Sequence, residues 1–383
     1  MKLYYEWGTR QIHKKGEELC GDCMAITRHK DSVTMALSDG LGSGVKANIL
    51  ATLTTHIAMH MLENDLPMNE VIQTLGETLP VCNVRQMAYS TFTIAQFFRS
   101  GHARVVEFDA PAAVLLRERR ANPLHYEERI VDGKSIREAM VDLVLGDWMV
   151  FMSDGVLNAG IGGCYPLGWG WDEAARFLEK HSHPDLSAQD VADKVAEAVD
   201  ALYTGAPGDD VSVAVIKVRR KQVANVLTGP PAASECDQAA VADFIKRAGR
   251  LIVCGGTTAK IVSRFTGRPL EVELNTMTPD VPPVGRIPGI DLVTEGILTL
   301  TQVSEMLKGG VDKKAIQFRT DGAADLVRQF LDVDQVHFMV GAAVNPAHQN
   351  PELPRQLELR MAVVREIRDA LKKRGIEVSI ETL

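Results

Sequence analysis

Four acidic turns recur along the chain. They are Gly21-Asp22, Ser38-Asp39-Gly40, Ser153-Asp154-Gly155 and Gly208-Asp209-Asp210. Asp-Gly alone is a common turn pair. Here each turn stands at the edge of an apolar or alternating run: Cys23-Met24-Ala25-Ile26 after the first, residues 32–38 before the second, residues 148–152 before the third and residues 211–218 after the fourth. Turns so placed can converge at one end of a sheet. Converged carboxylates repel one another and raise each other's pKa unless cations neutralise them, so convergence implies bound metal. All-oxygen donors suit Mg²⁺ or Mn²⁺ rather than Zn²⁺.

The elements that must position these groups follow from periodicity. Val33, Met35 and Leu37 alternate with Thr34, Ala36 and Ser38, as in a half-buried strand. After the glycine-rich join Asp39-Gly40-Leu41-Gly42-Ser43-Gly44, the residues Ile49, Leu50, Leu53, Ile57, Ala58, Met61 and Leu62 recur at helical spacing, predicting an amphipathic helix over 45–63. Residues 90–98 and 103–108 read as a hairpin joined by Arg99-Ser100-Gly101-His102, and 113–117 as a further strand. The continuous apolar run 148–152 predicts a strand covered on both faces. Helices are expected over 69–79, 171–181 and 188–203, the last with Val191, Val195, Val199 and Leu202 on one face. Hairpins with helices grouped around them predict an α+β fold, two antiparallel sheets packed together and covered by helices.

The pattern breaks near Arg219-Arg220-Lys221-Gln222, and Gly229-Pro230-Pro231 reads as a boundary. Two domains are expected, 1–220 and 221–383. Beyond the break, helix and strand alternate: helices over 241–248, 259–265, 301–308, 323–331 and 353–374, strands over 251–254, 336–340 and 376–380, with Gly255-Gly256-Thr257-Thr258 as a turn and a proline-rich loop over 279–288. This predicts a smaller α/β domain with a partly parallel sheet. Gly255, Gly256, Thr257 and Thr258, between strand and helix, are a candidate anion cradle; the competing reading is a plain turn with a threonine cap.

Composition narrows the classes. The chain has 383 residues, 45% hydrophobic and 24% charged, with a net charge of −8. That balance argues against nucleic acid as partner, which needs a basic surface. Residues 45–62, the longest membrane candidate, are interrupted by Lys46, Asn48, His56, His60 and several threonines. No membrane partner is expected, no signal peptide is read in the first residues, and the expected location is the cytoplasm. Six cysteines over this length give no disulfide framework. Cys20-Gly21-Asp22-Cys23 encloses one of the four acids and admits either a redox pair or simple packing.

The four motifs, in that order and spacing, resemble the metal-dependent protein phosphatase (PPM, type 2C) superfamily, in particular the branch of the bacterial stage II sporulation protein E, over residues from about 10 to 218. The resemblance implies an α-β-β-α sandwich that hydrolyses phosphoserine or phosphothreonine with two divalent cations, Mn²⁺ or Mg²⁺. By motif position Asp39 would bridge the two ions, the Gly40 carbonyl would bind one of them, Asp154 and Asp209 would hold the first, and Asp22 would sit by the second. Asp39, Asp154 and Asp209 are then the catalytic set. The resemblance also implies a regulatory switch in the helix over 45–63, a homodimer, and as partner a phosphorylated regulatory protein of the anti-sigma-antagonist kind. Asn158 stands where related domains carry an acid, and Asp109-Ala110-Pro111-Ala112 replaces a more usual Asn-Ala-Gly-His-like turn. Asp210 reads as a residue that caps or orients.

Two functions are weighed: an active serine/threonine phosphatase with a sensor or docking module, and a catalytically silent phosphatase fold that binds a ligand or partner. Four intact acidic sites favour the first, because a degenerate enzyme has no physical reason to keep mutually repelling carboxylates. His348, in a polar loop, and the basic residues at 355, 360, 365, 368 and 372–374 read as surface.

Overall fold

The computed structural model of the protein describes residues 2–78, 81–82, 87–88, 90–131, 133–343 and 356–383. These fall into two units, Met1–Arg220 and Lys221–Leu383.

The first unit contains, in chain order, β1 (Tyr4–Ile12), β2 (Asp22–Arg28), β3 (Ser32–Asp39), α1 (Gly44–Glu63), α2 (Met68–Thr78), the short pair β4 (Val81–Cys82) and β5 (Met87–Ala88), then β6 (Phe92–Phe98), β7 (His102–Phe108), β8 (Val114–Arg117), β9 (Arg120–Pro123), β10 (Glu127–Val131), β11 (Lys134–Asp142) and β12 (Trp148–Met152). It closes with α3 (Asp154–Leu157), α4 (Gly170–His181), α5 (Ala188–Leu202) and β13 (Val211–Arg219). One sheet runs β1-β13-β12-β8-β9 and the other β10-β11-β7-β6-β3-β2, with every pairing antiparallel.

Three apolar layers make this an α-β-β-α sandwich. Between the sheets, Met35, Phe97 and Val105 meet Tyr5, Phe151 and Ile216. On the outer face of the six-stranded sheet, Ala36, Ile94 and Val106 pack under Ala58, Leu62, Val71, Ile72 and Leu75 of α1 and α2. On the outer face of the other, Val150, Val213 and Val215 pack under Leu178, Val191 and Val195 of α4 and α5. Strand β12 is buried at every residue because it contributes to two layers, which explains why its sequence is apolar without alternation. Each fully buried Val, Leu, Ile or Phe contributes roughly 1.5–3 kcal/mol of transfer free energy.

One expectation about α1 is corrected. Its inward residues are Ala47, Ala51, Thr54, Thr55, Ala58, Met59 and Leu62, while Val45, Ile49 and Leu53 face solvent. The helix crosses the site turn so closely that a Cβ added to Gly40 would lie 2.0 Å from the Ala47 carbonyl oxygen. In the first turns only small residues such as Ala47 and Ala51 fit the facing side, and Val45, Ile49 and Leu53 are turned outward.

The second unit contains β14 (Val223–Thr228), α6 (Asp237–Lys246), β15 (Arg250–Cys254), α7 (Gly256–Thr266), β16 (Glu271–Glu273), β17 (Val284–Arg286), β18 (Leu292–Thr294), α8 (Ile297–Lys308), α9 (Gly322–Leu331), β19 (Gln335–Val340), α10 (Gln356–Lys372) and β20 (Glu377–Thr382). The sheet order is β16-β17-β18-β15-β14-β19-β20; β18, β15, β14, β19 and β20 are parallel, and β16 and β17 are antiparallel additions at one edge. Helices α6 and α7 cover one face through Val241, Phe244, Ala259 and Val262, and α8, α9 and α10 cover the other through Leu300, Val303, Leu326, Phe330, Val364 and Ile367. The partly parallel α/β expectation holds. Strands β14, β16, β17 and β18 were not foreseen: β14 precedes the Gly229-Pro230-Pro231 turn, and β17 lies inside the expected proline-rich loop. The expected helix residue Leu79, residues 353–355 and His348 lie outside the described residues.

Candidate functional site

The site is built at the ends of four strands. Asp22 begins β2 and Asp39 ends β3, directly opposite each other in the antiparallel register. Asp154 follows the end of β12 and opens α3, and Asp209 lies in the turn before β13. Because β12 and β13 are antiparallel neighbours, the end of one and the start of the other share a sheet edge. A cavity of about 720 Å³ opens between the two sheets there, lined by Asp39, Gly40, Asp109, Asp154 and Asp209, with Lys14 as the basic residue among those that line it.

Glycines bring the strand ends into contact. A Cβ on Gly155 would lie 2.0 Å from the Asp210 carbonyl oxygen, and the Tyr203 hydroxyl donates to the Gly155 carbonyl at 2.8 Å. At Gly40 the N–H donates to the Gly21 carbonyl at 3.3 Å, joining the two acidic turns. The serines of the two Ser-Asp-Gly motifs are structural. Ser153 Oγ accepts the Ser212 N–H at 2.9 Å, and Ser38 shares a hydrogen bond with Ser90 at 2.5 Å and donates to the Thr91 carbonyl at 2.6 Å.

Electrostatically the cluster is frustrated. Burial first, then the charges of Asp22, Asp154, Asp209 and Asp210, pushes the Asp39 carboxyl up to about 9. Asp22 is pushed up to about 7, mainly by burial, and neither of its oxygens has a hydrogen-bond partner among the described residues. Ser153 and Ser212 lie beside Asp22 and pull the other way, but neither hydroxyl makes a well-formed hydrogen bond to it. Asp154 and Asp209 are also raised, again by burial first. Asp154 is moderated by Asp39, and Asp209 first by the Asp210 N–H, which it accepts at 3.1 Å, and then by Lys14. Among the described residues no three acidic, histidine or cysteine side chains form a finished metal cage. Orphaned buried carboxylate oxygens beside mutually raised acids are nevertheless a donor set that fits hard divalent cations.

Residues 29–219 match the family model described as stage II sporulation protein E (SpoIIE). They form a domain of that family. Solved structures of similar fold include phosphatase domains. That of the cell fate determinant SpoIIE from Bacillus subtilis is 18% identical, aligning 57% of this chain with 94% of that one at a TM-score of 0.45. RsbX in complex with magnesium is 14% identical, with 56% and 95% covered and a TM-score of 0.43. The SiaA PP2C domain of Pseudomonas aeruginosa is 16% identical, with 55% and 85% covered and a TM-score of 0.46. No curated protein matches the sequence significantly.

In this SpoIIE-family domain, Asp210 is buried beneath the cavity and accepts the Lys14 N–H at 3.0 Å, so it orients rather than lines. Asn158 donates to Asp154 at 3.5 Å. Cys20 and Cys23 carry free thiols. Burial and the neighbouring acids push Cys20 up to about 12, which makes a reactive thiolate unfavourable, and Cys23 accepts from the Thr55 hydroxyl at 3.1 Å.

Lys14 escaped the sequence, whereas the Asp109 turn was marked there as a departure and its setting comes from the fold. Lys14 sits in a polar stretch whose only signal was a basic pair next to Gly16. Asp109, at φ 48, is held into the cavity by a buried network: Glu107 accepts from Ala113 N–H at 3.0 Å, Tyr126 hydroxyl at 2.8 Å and Arg137 at 2.8 Å, and Arg137 also donates to the Ala110 carbonyl at 2.7 Å. The glycine-threonine stretch 255–258 lies in the other unit, where Gly256 opens α7, Gly255 N–H donates to the Thr294 carbonyl at 2.9 Å and Thr258 is buried. Gly255 is therefore the N-cap and residues 256–258 the first turn of α7, a junction of strand and helix as expected.

Proposed function

We propose that this protein is a metal-dependent protein serine/threonine phosphatase whose site lies in the first unit. The observation that carries the reading is the convergence of strand-end acids, Asp39, Asp154 and Asp209 lining one cavity and Asp22 paired with Asp39 beside it, with Asp39 held half-buried among the charges of four other carboxylates. Two divalent cations, Mn²⁺ or Mg²⁺, would be held there by Asp39, Asp154 and Asp209, with the Gly40 carbonyl and Asp22 as further oxygen donors. When bound, such ions activate a water for attack on phosphorus and neutralise charge on the phosphoryl oxygens.

The chain's own groups then have defined tasks. Lys14 draws the phosphoryl dianion toward the acids and offsets their repulsion of it. The Asp109–Pro111 segment, fixed from below by Glu107 and Arg137, forms the wall against which a phosphorylated peptide segment is positioned. Gly40 and Gly155 keep the carboxylates at a fixed spacing because the backbones behind them admit no side chain. The substrate is a phosphorylated regulatory protein, and the second unit serves as a sensor or docking module.

The test is hydrolysis of p-nitrophenyl phosphate and of a phosphoserine peptide with Mn²⁺, Mg²⁺ or EDTA. Turnover with metal that is lost in EDTA and in Asp39→Asn supports the reading. Turnover that persists in either contradicts it.

A further inference from the structure

The parallel core of the second unit has the order β18-β15-β14-β19-β20, which in chain order is 3-2-1-4-5. Its helices change face at one point: α6, which follows β14, covers one side of the sheet, and α10, which follows β19, covers the other. In open α/β sheets of this kind, ligands bind outside the carboxyl ends of the strands where the connections part. Here that point lies between the ends of β14 and β19, at Thr228 and Val340.

What stands there is a cation that, among the described residues, has no acid beside it. Arg360, in the first turns of α10, is half-buried. Its guanidinium donates to the Gly341 carbonyl at 3.0 Å, and among the described residues no carboxylate forms an ion pair with it. Burial lowers its pKa from the usual value. A guanidinium withdrawn from water against a single carbonyl is costly unless an anion completes it.

The backbone beneath is stripped for close approach. A Cβ on Gly229, at φ +78, would lie 2.2 Å from Arg360 Nη1, and one on Gly341 would lie 2.0 Å from the Pro230 carbonyl oxygen. At the same edge Thr228, the last residue of β14 and 1% exposed, has a hydroxyl with no hydrogen-bond partner among the described residues. Thr228 shares its side of the sheet with Val226 and Val340, the side that α10 covers. A buried donor left unpaired costs about 1–3 kcal/mol, and a ligand oxygen would relieve it.

We propose that the second unit binds the phosphate group of a small molecule at this switch point, with Arg360 as its charge partner and Thr228 as its hydrogen-bond donor. The guanidinium fork matches phosphate oxygens, and the topology suits a nucleotide. The proposal places the anion at β14 and β19, away from the 255–258 turn, and is independent of the phosphatase reading.

The experiment is calorimetric titration of the full chain, in EDTA, with inorganic phosphate and with AMP. The wild type is expected to bind, Arg360→Met to bind about 10-fold or more weakly, and Thr228→Val several-fold more weakly. Tighter binding of AMP than of phosphate identifies a nucleotide as the source; tighter binding of phosphate identifies a smaller phosphorylated molecule. Affinity unchanged in Arg360→Met, or no binding of either probe, overturns the proposal. Should Arg360→Met fail to fold by circular dichroism, Thr228→Val decides, and unchanged affinity in that variant overturns it. Binding lost only in Lys14→Met assigns the anion to the phosphatase cavity and likewise overturns it.

Discussion

Asp22 and Asp39 stand directly opposite each other across the β2–β3 ladder, Asp22 buried with neither carboxylate oxygen partnered among the described residues and Asp39 half-buried. Like charges opposed across an antiparallel pair destabilise it. Their retention at this register needs a compensating cation, and the predictions below follow from that requirement.

Asp39→Asn should lower turnover by at least about 10²–10³-fold while the fold is kept, because the amide preserves shape and removes charge. The same variant should raise the melting temperature of the metal-free protein, since it removes a carboxyl that burial and neighbouring charges penalise. Steady-state kinetics and a thermal melt in EDTA check both halves.

The stability of the metal-free protein should fall as pH rises. In the native state Asp39 is pushed from 3.8 up to about 9 and Asp22 from 3.8 to about 7. The folded chain therefore holds protons that the unfolded chain releases, so ν_U − ν_N is negative and the unfolding free energy declines with pH. This contribution is complete below about 3.8 and is lost as pH climbs through about 7 and 9. Melts in EDTA from pH 5 to 9 should show the decline, and Mn²⁺ should abolish it.

Lys14→Met should raise KM for a phosphopeptide more than it lowers kcat, with kcat/KM down about 10–100-fold, because a lost charge-assisted contact to phosphate is worth roughly 1.5–3 kcal/mol. Metal affinity should hold or increase, as a nearby positive charge is gone. A fall in metal affinity would instead place Lys14 in support of the ligands.

Arg137→Met should destabilise the first unit by about 3–5 kcal/mol, since it leaves the fully buried Glu107 without its cation. Activity measured well below the melting temperature should also drop, because the Asp109–Pro111 wall loses its anchor on the Ala110 carbonyl. Denaturant unfolding and kinetics on one preparation separate the two effects.

The architecture of the first unit was legible because each layer writes its own period. Alternation in residues 33–38, the continuous run 148–152 and the valine stripe of α5 each located an element and its exposed or buried side. The acids were legible as repeated Asp-Gly turns at strand edges. Lys14 and Glu107 were not, and Asp109 was legible only as a departure within its turn, because their settings depend on contacts that reach across as many as 196 residues of sequence, which no local spacing records. The outward face of α1 was misread for a related reason. Hydrophobic spacing reports which residues are apolar, whereas the approach of Gly40 to Ala47 decides which of them fit inside. In the second unit, β16, β17 and β18 are only three residues each, too short to show a period.

The central claim is that the strand-end acids hold two divalent ions, and calorimetric titration of the metal-free chain with Mn²⁺ tests it most directly. The account predicts about two ions per chain, protons released on binding at pH 7 because Asp39 is protonated before the metal arrives, and loss of at least one ion in Asp39→Asn. No Mn²⁺ binding, or a stoichiometry and proton release that Asp39→Asn leaves unchanged, would contradict it.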